Sequence, residues 1–155
     1  MLNERFATIP EIAAAGCTQY TEGDASALKV ADGLVNVPQK PTAGLTYRFV
    51  LAGTKTGANA AHTVTLVLGG TTLMTLTADA ATAVDWMAEF VVRFVDATNQ
   101  KVMGRLSSSG LDAIADYAAG TVDCSAGNDL CPYITAGNSS DEVTCEMVTV
   151  EKWIK

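Results

Sequence analysis

Beyond the first 25 residues or so, apolar and polar positions alternate in short runs along the chain. Tyr47, Phe49 and Leu51 alternate with Thr46, Arg48 and Val50, a period of two that predicts a half-buried strand. Val64, Leu66 and Leu68 make a second inward face opposite Thr63 and Thr65. Gly69-Gly70 follows at once, a dipeptide suited to a two-residue hairpin, and Thr71 to Thr77 reads as the returning strand. The strongest run sets Trp86, Ala88, Phe90, Val92 and Phe94 on one face, with Met87, Glu89, Val91, Arg93 and Val95 on the other.

Punctuation separates these runs. Gly53 to Ala61 reads as a small-residue loop, and Asp96 to Gln100 as a polar turn before a strand from Lys101 to Ser108. Residues 109–120 are ambiguous, since Leu111 to Tyr117 suits either a short helix or an irregular strand. Thr121 to Cys124 and Cys131 to Thr135 are short strand candidates around the turn Ser125-Ala126-Gly127-Asn128. Val143 to Ile154 is a long final strand whose apolar phase slips between Met147 and Val148, which predicts a bulge. About eight to ten strands without long helices predict an all-β antiparallel two-sheet sandwich. Eight main strands favour a jelly roll over an immunoglobulin sandwich.

The first 25 residues differ. Thr8-Ile9-Pro10-Glu11 has the form of a capping box with proline in the first turn, and Ile12 to Ala15 extends it to a one- to two-turn helix that Gly16 ends. So short a helix is not stable alone in water. Two parts are therefore expected: an N-terminal arm over 1–25, which must pack on its own domain, pack on a neighbouring subunit or stay loose, and a sandwich over 26–155.

Composition narrows the partners. Ten basic against seventeen acidic residues leave a net charge of −7, which argues against nucleic acid and against anionic membrane surfaces. Only 17% of the 155 residues are charged while 48% are hydrophobic, a balance that suits a surface partly covered by other subunits. No stretch is apolar for long enough to span a membrane, and the N-terminus lacks signal-peptide form. The chain is expected to stay where it is made.

Candidate chemistry is sparse. His62 is the single imidazole, without a nucleophile elbow, and reads as an exposed or capping histidine. Cys17, Cys124, Cys131 and Cys145 lack zinc spacing and read as reduced thiols, with a Cys124–Cys131 bridge left open. Glu89 and Glu146 are the one carboxylate pair worth weighing for glycoside hydrolysis, but Arg93 on the face of Glu89 favours a charge ladder. Asp123, Asn128 and Asp129 offer oxygens for Ca²⁺ without a ligand-counted motif, so a solvated turn is the expectation. No catalytic, cofactor or metal residue is assigned, and no enzyme is expected.

The order Ala43-Gly44-Leu45-Thr46-Tyr47-Arg48-Phe49, a small-residue loop, Thr65 to Leu73 around Gly69-Gly70, Asp85-Trp86 opening a long strand through Glu89-Phe90-Val91-Val92-Arg93, and the closing Val148-Thr149-Val150-Glu151 resembles small jelly rolls of tailed bacteriophages. These serve as head decoration (cement) proteins and as domains of head and tail fibres. The resemblance covers residues 27–155. It implies a homotrimer on the virion, made in the host cytoplasm and bound to the outer face of the major capsid protein, with avidity from several contacts. Phe6, Ile9, Pro10, Ile12, Tyr20 and Trp153 are the interface residues expected under this reading. The alternative is a receptor- or carbohydrate-binding fibre domain contacting a host-surface glycan through loops 53–61, 79–85 and 125–130.

Overall fold

The computed structural model describes residues 6–9, 27–30, 35–108 and 114–154, with the backbone alone for 6–9 and 114–115. The capping box expected at Thr8 to Glu11 does not begin a helix at Thr8 and Ile9, which are strand; the rest of that expected helix, through Ala15, lies outside these residues, as do Pro10, Ile12, Cys17 and Tyr20. Among the described residues everything regular is strand: β1 (Phe6–Ile9), β2 (Leu28–Lys29), β3 (Asn36–Val37), β4 (Leu45–Ala60), β5 (Thr63–Leu68), β6 (Thr71–Thr77), β7 (Ala81–Phe94), β8 (Gln100–Ser108), β9 (Ile114–Gly120), β10 (Asn128–Thr135) and β11 (Glu142–Ile154).

The strands form two antiparallel sheets. One runs in the order β1-β11-β4-β7-β8-β9, the other β2-β10-β5-β6, with β3 also on β10. Without β3, β8 and β9, the two sheets are four-stranded and have jelly-roll order, in which the chain crosses between sheets in Greek-key fashion. The hairpin β8–β9 extends the first sheet beyond β7. β1 completes the roll by pairing with β11, Phe6 opposite Lys152 and Ile9 opposite Val150. The sandwich thus reaches into the segment expected to be an arm.

The inward faces follow the sequence alternation. Phe49, Leu51, Ala88, Phe90, Val92 and Phe94 from the first sheet meet Val64, Leu66, Leu68 and Ile134 from the second, all fully buried. Tyr47 stands edge-on to Phe94, with ring centroids 6.3 Å apart at 82°. The Gly69-Gly70 turn has φ of 55° and 80°, the left-handed pair that a twisted two-residue hairpin requires.

Four local expectations change. Residues 53–60 are not a loop. They continue β4 to sixteen residues, paired to the start of β7 and to β11, because Lys55 turns inward and is held there. Residues 81–85 likewise belong to β7. Residues 121–124 are not a strand. The amide of buried Gln100 takes the place of a neighbouring strand, donating to the Val122 carbonyl at 2.9 Å and accepting from the Val122 amide at 2.9 Å. The bulge falls one position early, between Cys145 and Met147. Of the ambiguous stretch, residues 114–120 are strand β9.

Candidate interaction surface and a buried polar cluster

The outer face of the six-stranded sheet is built by the polar half of the alternation, yet much of it is apolar. Register places Glu151, Arg48, Val91, Met103 and Tyr117 in one row across β11, β4, β7, β8 and β9. A second row carries Met147, Ala52, Met87 and Ser107, and a third Trp153, Thr46, Arg93, Lys101 and Ala119. Tyr117 is 63% exposed, Met103 50% and Met87 43%. Long, pliable methionines beside a tyrosine make an adaptable contact surface.

On this face one guanidinium bridges two carboxylates. Arg48 Nε donates to Glu89 at 2.6 Å, and its Nη1 reaches Glu151 at 3.3 Å. Glu89 raises the Arg48 pKa first by this hydrogen bond. The ladder foreseen for Glu89 thus exists, with Arg48 across the strands as the partner. Glu146 sits at the bulge and accepts from the Thr54 hydroxyl at 3.2 Å. The two carboxylates weighed for glycoside hydrolysis are each engaged by a different neighbour.

The expected interface residues divide. Trp153 is half-buried on this outer face, opposite Thr46. Phe6 and Ile9 have their backbones on the edge of β11. Pro10, Ile12 and Tyr20 lie outside the described residues. The sequence reading missed Met87, Met103, Tyr117 and Met147. Their alternation was visible, but its sum across four strands appears only once register is known.

The loop oxygens weighed for Ca²⁺ turn to separate partners. Asp123 caps the turn, accepting from the Ser125 amide at 2.8 Å and the Ser125 hydroxyl at 2.5 Å, and these bonds lower its pKa. Asn128 donates to the Asp123 carbonyl at 2.8 Å, and Asp129 pairs with Lys29 at 3.4 Å. Among the described residues no group of three His, Cys, Asp or Glu side chains is placed to hold a metal ion. Cys124, Cys131 and Cys145 are buried, and the Cys131 thiol donates to the Val30 carbonyl at 3.1 Å rather than bridging to Cys124. Burial raises the Cys124 pKa.

His62 corrects its expectation outright: it is fully buried. The reason is phase. Residues 62, 64, 66 and 68 share the inward side of β5, so the imidazole continues the stripe of Val64, Leu66 and Leu68. It lies 5.7 Å from the Trp86 ring, and neither ring nitrogen has a hydrogen-bond partner. Burial first, and Lys55 second, push its pKa from 6.5 to about 4, against an opposing pull from Asp141. Lys55 and Asp141 share this pocket between the end of β4 and the start of β11. Their side chains are 0% exposed, with Nζ 3.2 Å from Oδ1.

Comparison with protein families, curated proteins and solved structures returns no match for this chain.

Proposed function

We propose that this chain is a non-enzymatic virion structural protein: a bacteriophage capsid decoration protein that binds the outer shell as a homotrimer and stabilises it. The observation that carries the reading is the outer face of the six-stranded sheet. Met87, Met103, Tyr117 and Trp153 share it with the ion-paired Arg48–Glu89–Glu151 group. Such a face adheres by area and shape. The jelly roll is a scaffold compatible with many functions, so the surface bears more of the argument than the fold. The glycan-binding alternative loses ground because two of its three loops are largely strand.

The deciding measurement is copy number in purified particles, relative to the major capsid protein. A number comparable to the capsid protein is expected. A small fraction of it would favour a fibre, and absence would end the virion reading.

A further inference from the structure

We propose that Lys55 and Asp141 condense into an intramolecular amide, covalently stapling β4 to the start of β11. Lys55 Nζ lies 3.2 Å from Asp141 Oδ1, and no part of either side chain reaches solvent. The pair bridges the two strands where Val143 lies opposite Lys55. Gly57, at φ 119°, leaves the space that Asp141 occupies, since a Cβ there would come 3.0 Å from Oδ1 and 2.8 Å from the Asp141 Cα.

As an ion pair the site is poorly satisfied. Lys55 Nζ donates to the carbonyls of Ala58 and Ala81, but neither Asp141 oxygen receives an aligned hydrogen bond. A buried carboxylate in that state is costly, because lost hydration is not replaced. The amide removes both charges, and its remaining N–H can still donate to the Ala58 or Ala81 carbonyl. Fixed proximity substitutes for activation, and exclusion of water disfavours the reverse hydrolysis.

The reaction balances without a co-reactant. A proton moves from the ammonium to the carboxylate, leaving an amine and a carboxylic acid with no change in net charge. The Nζ lone pair attacks Cγ and forms the Nζ–Cγ bond. The surplus Nζ proton passes to the acid hydroxyl within the same adduct. The Cγ–O bond then breaks with its electron pair, and one water leaves.

Intact mass spectrometry of the folded full chain is expected to show the sequence mass less one water. Digestion should release residues 55 and 141 in one branched peptide that trypsin does not cleave at Lys55. Asp141→Asn should reach the same product mass by losing ammonia, which separates this bond from a cyclic imide at another aspartate. Recovery of Lys55 and Asp141 in separate linear peptides from natively folded protein would overturn the proposal, whatever the variants do.

Discussion

His62 shows how one buried group couples the fold to pH. The unfolded chain protonates this imidazole near 6.5, whereas the folded chain resists until about 4. Stability is therefore whole above the higher value and falls as pH drops through the window toward the lower one. A gap of that size corresponds to about 3 kcal/mol at most. Denaturant unfolding followed from pH 7 to 4 should show this decline, and His62→Gln should flatten it between 6.5 and 4. The direction persists whether Lys55 and Asp141 are an ion pair or an amide, because burial is the leading cause. Arg48 is the contrasting case. Its partners are partly exposed, with side-chain exposures of 39% for Arg48, 26% for Glu89 and 44% for Glu151. Arg48→Met should cost about 1 kcal/mol or less, and added salt should shrink the difference.

Among elements, β7 is the hub, lying between β4 and β8 at the middle of the larger sheet. Its inward stripe was legible because five apolar residues at period two leave a single way to bury them. Phe90 is fully enclosed in that stripe. Phe90→Ala should destabilise by about 3–5 kcal/mol, measurable as a lowered denaturation midpoint with an unchanged slope. β4 was legible only in its first half. Its second half, from Gly53, is small-residue and polar, and local propensity reads it as a loop. Pairing to both neighbours and the inward anchoring of Lys55 override that preference. The same limit explains residues 121–124, whose β-like pattern is met by the Gln100 side chain rather than by a strand.

At the scale of the molecule, the lengthened sheet creates the proposed contact face. β8 and β9 extend it past the eight-stranded roll and place Met103 and Tyr117 beside Met87 and Val91. Met103→Lys combined with Tyr117→Lys should leave the melting temperature nearly unchanged, because both side chains are at least half exposed. The same pair should abolish self-association in sedimentation and weaken binding to capsids. Retention of both activities would move the interface elsewhere.

The sequence alone determined the fold class, the inward stripes of β4, β5 and β7, the Gly69-Gly70 hairpin and the acidic, charge-poor balance. These are properties of neighbouring residues: a period, a turn dipeptide, a sum of charges. Tertiary structure decided what depends on residues far apart in the chain. It set the order of strands, the alignment of four of them into one apolar outer face, and the burial of Lys55, His62 and Asp141 in a single pocket. Lys55 lies on β4 and Asp141 immediately before β11, two strands that pair only after the whole chain between them has folded back. Register, which no local pattern encodes across so long a separation, brings them within 3.2 Å.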